Sequence, residues 1–159
     1  MKMIYVLALI IFMVPLNILA QDCVDYHEVG DCMLNGQKGY KVYSQSKSVS
    51  LSLTDTVELN IVFYGQKDYI LSFCAHEKMY PIHFVLINPE NRQVLYDNSN
   101  DKYIKSLGIG FDVTKSILIR LDVLAREASE QEIENYLGCL GMLIQYKNYE
   151  RRKLNLKMQ

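Results

Sequence analysis

The chain has 159 residues, with 17 Lys and Arg against 18 Asp and Glu, for a formal net charge of -1. That near balance excludes the broad basic footprint of a nucleic-acid binder. Half of the residues (50%) are apolar, and neither an internal repeat nor a low-complexity tract interrupts them. The length therefore fits one domain burying about two-thirds of its unfolded surface, rather than two domains or a disordered chain.

The chain opens MKMIYVLALIIFMVPLNILAQDC. Lys2 supplies a positive start, and the apolar stretch Ile4–Leu16 is of signal-peptide length and short for a bilayer span. Ala20 offers a small residue for cleavage, so residues 1–20 read as a signal peptide. Asp22 before Cys23 argues against a lipidated cysteine, and no later segment is apolar enough to span a membrane. The expected location is periplasmic or secreted. All four cysteines, Cys23, Cys32, Cys74 and Cys139, follow the signal. An even number in an exported chain implies disulfides, with three possible pairings.

Residues 21–39 are irregular and read as an N-terminal cap. From residue 40 the pattern becomes period two. Val57–Tyr64 (VELNIVFY) places Val57, Leu59, Ile61 and Phe63 on one face; Ile117–Leu124 (ILIRLDVL) turns Arg120 and Asp122 outward. That alternation marks strands with one wet face. Similar runs are Val49–Leu53, Tyr69–Cys74, Ile82–Ile87, Gln93–Tyr96, Ile109–Val113 and Leu140–Tyr146. Turn-forming residues separate them at Tyr64–Gln66, Asn88–Asn91 and Asp97–Asn100. The expectation is an all-β domain over residues 40–147, an antiparallel jelly-roll-like β-sandwich of about eight strands. Arg126–Leu137 (REASEQEIENYL) lacks the alternation and reads as a short helical or irregular insert before the last strand. Residues 148–159 form a basic C-terminal tail, whose sharper reading is contact with an acidic partner or an anionic surface.

The stretch ILSFCAHEK raises a chemical question. On a strand Cys74 and His76 share a face. A hairpin through Glu77–Pro81 would bring His83 beside them. Cys74, His76 and His83 would then make a chemically sensible zinc set. That depends on register, since a slip of one residue sends His83 to the other face. A thiol nucleophile fits less well, because neighbours at i and i+2 stand about 7 Å apart. The Asp97–Asp101 loop (DNSND) is oxygen-rich but lacks EF-hand spacing, so calcium is an open alternative to a polar turn. Gly138 and Gly141 look like close backbone packing. Tyr40, Tyr43, Tyr64, Tyr69, Tyr80, Tyr96 and Tyr103 could include a platform for a glycan or peptide, although tyrosine is also a good strand former.

Lys41–Val49 (KVYSQSKSV), Asp68–Ala75 (DYILSFCA), Val94–Ser99 (VLYDNS) and Leu137–Lys147 (LGCLGMLIQYK) together resemble a group of small exported β-sandwich proteins of Gram-negative bacteria. Their strand pattern is similar to that of GOLD and pre-peptidase C-terminal-like domains. The resemblance implies a sandwich and a non-catalytic role. It adds weight to pairing Cys74 with Cys139, both of which lie in the matching stretches. Those two residues also sit on the less apolar faces of strands that antiparallel pairing can bring together. Cys23 and Cys32 are close in sequence and are expected to form the other bridge.

The function expected is a non-enzymatic module that binds a protein partner or envelope component, with no cofactor. The alternatives are a carbohydrate- or small-ligand-binding module, resting on the tyrosines, and a metal- or thiol-dependent enzyme, resting on Cys74, His76 and His83.

Overall fold

The computed structural model describes residues 23–29, 32, 39–126 and 128–149. The expected signal peptide and residues 150–159 of the tail lie outside them. Among the described residues the chain forms nine strands, two short helices and two single turns of 3₁₀ helix. The order is α1 (Tyr26–Val29), β1 (Lys41–Val42), β2 (Lys47–Ser52), β3 (Thr56–Phe63), β4 (Lys67–Ala75), β5 (Ile82–Ile87), β6 (Val94–Asp97), β7 (Ser106–Phe111), β8 (Lys115–Val123), α2 (Glu130–Asn135) and β9 (Leu137–Asn148).

The strands make two antiparallel sheets, so the all-β sandwich is borne out, with nine strands in place of about eight. The five-stranded sheet runs β1-β9-β4-β7, with β2 also paired to β9, and the four-stranded sheet runs β3-β8-β5-β6. The unexpected strand is β1, which with β2 makes one interrupted edge along β9. Between them the Ser46 hydroxyl bridges the gap: it accepts from Ile144 N–H at 2.9 Å and donates to Tyr43 C=O at 2.8 Å, with Ile144 C=O at 3.2 Å. The insert is helical over Glu130–Asn135, inside the segment that lacked alternation.

Period-two strands put their apolar faces together between the sheets. In β8 the residues Ile117, Ile119, Leu121 and Val123 are buried and their neighbours half-buried, the alternation expected of a strand with one wet face. Phe73 of one sheet stacks on Phe84 of the other at 4.3 Å, and Phe63 on Phe111 at 4.9 Å. Such pairs add about 0.5–1.5 kcal/mol each beyond their area.

β4 and β9 behave differently. Tyr69–Cys74 and Gly138–Ile144 are buried without interruption. Strands lose their alternation when both faces are covered. Here the second cover is the N-terminal segment. α1 lies against β9, and Cys32, Cys74 and Leu143 form a small apolar cluster with Tyr26 on the outer face of the sheet. His27 N–H donates to Ser48 Oγ at 2.9 Å, and its Nδ1 meets the same oxygen at 2.7 Å. Gly141 makes the approach possible: a Cβ there would stand 2.8 Å from Cys74 Sγ and 2.9 Å from the backbone Cα of His27.

The disulfides correct the expected pairing. They join Cys23 to Cys139 and Cys32 to Cys74, with Cα separations of 5.4 Å and 4.9 Å. Cys74 and Cys139 do lie on one face of one sheet, as their strand faces suggested. The register, however, places Cys74 opposite Gly141, two residues beyond Cys139. Diagonal neighbours stand about 7–8 Å apart, outside disulfide reach. Each sheet cysteine instead bonds to the segment crossing above it.

A second correction concerns β4 and β5. They are not a hairpin: β4 belongs to the five-stranded sheet and β5 to the other. Residues 76–81 cross between the layers, anchored by the fully buried Met79. At the far end β9 runs through Asn148, and Tyr149 N–H donates to Gln66 C=O at 3.1 Å.

Candidate functional site

Three of the loops that join strands meet at one end of the sandwich and enclose a groove of about 740 Å³. They are the β4–β5 crossing (Glu77, Lys78, Tyr80, Pro81), the β6–β7 loop (Lys102, Tyr103, Lys105) and the β8–α2 loop (Arg126, Ala128). Among the described lining residues four are cationic and one, Glu77, is a carboxylate, in a chain whose overall charge is -1. The volume falls in the range of ligand-binding clefts.

Two of the three loops are held from beneath. In the crossing, Gly138 leaves space for Met79, whose Sδ would lie 2.5 Å from a Cβ on that glycine. The Tyr80 hydroxyl accepts from Ala75 N–H at 3.1 Å, which fixes the ring at the groove wall. In the β6–β7 loop the anchor is Asn98, fully buried. Its Oδ1 accepts from Phe84 N–H at 2.9 Å, and its Nδ2 donates to Ile82 and Ile104 carbonyls at 3.0 Å and 3.2 Å. This satisfies a buried amide and clamps the loop to β5. Beyond it Lys102 and Tyr103 adopt left-handed backbone, with φ of 56° and 57°. Two consecutive non-glycine residues in that region carry strain of order 1–3 kcal/mol each.

Cations and rings are interleaved. Lys105 Nζ stands 3.8 Å from the centre of the Tyr80 ring. The Arg126 guanidinium lies 4.6 Å from the Tyr103 ring centre and donates to the Tyr103 hydroxyl at 2.8 Å. These contacts orient the charged groups without neutralising them, and one Arg126 N–H is already committed to Tyr103.

The groove is backed by a polar cluster on the outer face of the four-stranded sheet. His83 Nδ1 meets Asp122 Oδ2 and its Nε2 meets Asp97 Oδ1, both at 2.9 Å. Thr56 Oγ1 donates to the other Asp122 oxygen at 2.8 Å. Arg120 Nε lies 3.4 Å from Asp122 Oδ2, yet that nitrogen has no formed hydrogen bond. The distance and the missing alignment make it an ion contact, not a hydrogen bond. The Tyr103 ring packs edge-on to His83 at 6.0 Å, linking cluster and groove. Hydrogen bonding from Ser99, with a smaller contribution from His83, lowers the Asp97 carboxyl below its ordinary value despite partial burial. Tyr96 moves the other way, to about 12, because burial and its hydrogen bond to the Asp101 carboxylate both favour the phenol.

The candidate zinc set does not assemble. Cys74 is bonded to Cys32. His76 lies beside α1, edge-on to Tyr26 at 5.3 Å. His83 stands on the other sheet, opposite Asp122. Among the described residues no group of three or more His, Cys, Asp or Glu is placed to hold a metal. In the Asp97–Asp101 loop, Asp97 Oδ1 already accepts from Ser99 N–H at 2.8 Å as well as facing His83, and Asp101 Oδ2 accepts from Tyr96 at 2.6 Å. The tyrosines do not form one platform. Tyr43 and Tyr69 are core residues beside Tyr64 and Tyr146, Tyr96 packs on Phe84, and Tyr40 lies near Lys147. Among the described tyrosines, Tyr80 and Tyr103 reach the groove.

Sequence reasoning missed Lys78, Lys102, Lys105 and Arg126. A trace was present: KMY at 78–80 and KYIK at 102–105 repeat a lysine–tyrosine pairing in two separate turns.

No protein-family model matches this chain, and no curated protein matches it. Among solved structures it is similar to the crystal structure of PliG from Aeromonas hydrophila, a periplasmic inhibitor of g-type lysozyme. The two share 11% sequence identity with a TM-score of 0.44, over 64% of this chain and 84% of PliG.

Proposed function

We propose that this chain is a non-catalytic, extracytoplasmic binding protein that holds an acidic segment of a protein partner in the groove at the loop end of the sandwich. The observation that carries this reading is the convergence of four cations and two tyrosine rings on three loops, two of them fixed from beneath. Arginine and lysine placed over aromatic rings suit carboxylate recognition, and rigid loops lower the ordering cost of binding. The two disulfides are consistent with an oxidising compartment.

A glycan platform is less favoured, because Tyr80 is engaged by Lys105 and Tyr103 by Arg126, where a sugar would need an open ring face. A thiol enzyme is disfavoured because both bridges together leave no free cysteine.

The test is crosslinking in native cells from a photo-reactive residue at Ala128, with identification of the captured protein and binding measured on purified components. Lys102→Glu with Arg126→Glu is expected to weaken binding at least about tenfold. The affinity should also fall as salt rises. Binding that is indifferent to both the charge reversals and salt would overturn the assignment.

A further inference from the structure

His83 stands where the outer face of the four-stranded sheet meets the groove. Its side chain is 17% accessible and is held at both ring nitrogens. Nδ1 lies 2.9 Å from Asp122 Oδ2, and Nε2 lies 2.9 Å from Asp97 Oδ1. Ionised carboxylates accept hydrogen bonds and do not donate them, so each contact needs an N–H on the ring. A neutral imidazole carries one N–H and an imidazolium carries two. The two bonds therefore form together only while the ring holds both protons. With one proton gone, a bare ring nitrogen faces a carboxylate oxygen, and one of the bonds is lost.

Each element packed around the ring contributes a charged or polar group. On β8, Asp122 also takes the Thr56 hydroxyl of β3 at 2.8 Å and has Arg120 Nε at 3.4 Å. Glu58, the next residue of β3 on that face, is paired with Arg92 at 3.0 Å. From β6 comes Asp97, whose carboxyl is kept below its ordinary value chiefly by hydrogen bonding from Ser99. From the β6–β7 loop come Lys102, Tyr103, edge-on to the ring at 6.0 Å, and Asp101, which accepts from the Tyr96 hydroxyl at 2.6 Å. The ring thus bridges two carboxylates, with one guanidinium beside Asp122.

The bonds of His83 lead into the groove. Asp97 Oδ1 also accepts from Ser99 N–H at 2.8 Å, which caps the 3₁₀ turn Asn98–Asp101. That turn runs into Lys102 and Tyr103 in their left-handed backbone, and Tyr103 N–H donates to Asn98 C=O at 2.9 Å. His83 therefore touches the start of the turn through Asp97 and its end through the Tyr103 ring. Tyr103 in turn holds Arg126, through its ring face and its hydroxyl. Two of the groove's cations, Lys102 and Arg126, so depend on the same support. We propose that His83 is a positioning residue of the groove: with a proton on each ring nitrogen it ties the β6–β7 loop to β8, and losing one proton as pH rises loosens Lys102 and Tyr103. For its effect on binding this rests on the acidic-segment reading of the groove, whereas the response of the loop needs no partner.

The test follows the exported, disulfide-bonded protein by NMR from about pH 5 to about pH 8.5, an interval that spans histidine titration. Ring ¹⁵N shifts read whether one or both His83 nitrogens carry a proton. Hydrogen-exchange protection of the Ser99 and Tyr103 amides, corrected for the intrinsic rate at each pH, reads the loop. Protection is expected to fall about tenfold as the ring loses its second proton, the size of one lost hydrogen bond to a charged group. His83→Gln, which has no proton to lose, should show no such step. Asp97→Asn should shrink it, because the amide can donate to the bare nitrogen of a neutral ring. In parallel, a hexaglutamate peptide should bind the wild type more weakly at about pH 8 than at about pH 6, two values at which glutamate side chains are ionised. A ring that holds a single proton at every pH would overturn the proposal. So would wild-type protection that stays flat while the ring titrates, a step that persists in His83→Gln, or peptide binding that ignores the step. Protection that steps with the ring while hexaglutamate fails to bind at any pH would sink the groove reading and leave the loop assignment standing.

Discussion

Replacing Gly141 by alanine tests how closely the N-terminal segment is clamped to the sheet. The new methyl would stand 2.8 Å from Cys74 Sγ, 2.9 Å from His27 Cα and 3.0 Å from His27 N. None of these atoms is the tip of a flexible side chain. Two belong to the backbone of α1, and the third is tied into a disulfide. α1 itself lies between Cys23, bonded to Cys139, and Cys32, bonded to Cys74, so it cannot drift away without moving both bridges. Overpacking of this kind costs typically 1–3 kcal/mol. Removing a strand glycine returns about 0.5–1 kcal/mol. The net expectation is a loss of about 1–2 kcal/mol, or a fall in Tm of about 5 °C for a domain of this size. The assay is thermal and urea unfolding beside Gly108→Ala, where a Cβ meets nothing within 4 Å. The control should be neutral or slightly stabilising. A Gly141→Ala protein as stable as that control would refute the tight docking of α1.

Other perturbations follow from the same contacts. Peptide mapping without reduction should yield Cys23–Cys139 and Cys32–Cys74. Removing each pair as a double alanine variant should cost about 5 and about 4 kcal/mol in the chain-entropy account, for sequence separations of 116 and 42. Asn98→Ala leaves Phe84 N–H and two carbonyls without their partner, a loss of about 3 kcal/mol measurable by urea unfolding. Asp97 has a depressed folded pKa, so its stabilisation is complete above the unfolded value of about 4 and disappears as pH falls through the lower folded value. Asp97→Asn should therefore lose less stability than the wild type between pH 6 and pH 3, measured by urea unfolding at each pH.

How far the fold could be read from the chain depended on how many faces each strand hides. β8 alternates between buried and half-buried positions, so its sequence announces both a strand and an inward face. β4 and β9 are covered on both sides, and for them the sequence marks a strand but not what lies above it. The cysteines show the consequence. Their shared face was legible from alternation, whereas the offset of two residues between Cys74 and Cys139 is a matter of register. The docking of the segment around α1, which supplies the true partners, has no periodicity to reveal it. The six residues 76–81 were equally ambiguous, since that length serves a hairpin within a sheet or a crossing between sheets. The buried Met79 belongs to the second.

The groove illustrates a different limit. Lys78, Lys102 and Arg126 are widely separated in sequence, and no local pattern brings them together. What does so is strand order: β5 lies between β8 and β6 in one sheet, while β4 and β7 are neighbours in the other. The crossing out of β4, the loop into β7 and the loop out of β8 must then end at the same pole of the sandwich. The like charges of Lys102, Lys105 and Arg126 repel one another, a repulsion moderated by the rings of Tyr80 and Tyr103 and by Glu77. Asn98 holds the β6–β7 loop in place against that repulsion through three buried hydrogen bonds. On the proposed reading an anionic group offsets this charge on binding, and the salt dependence of partner affinity measures that offset directly.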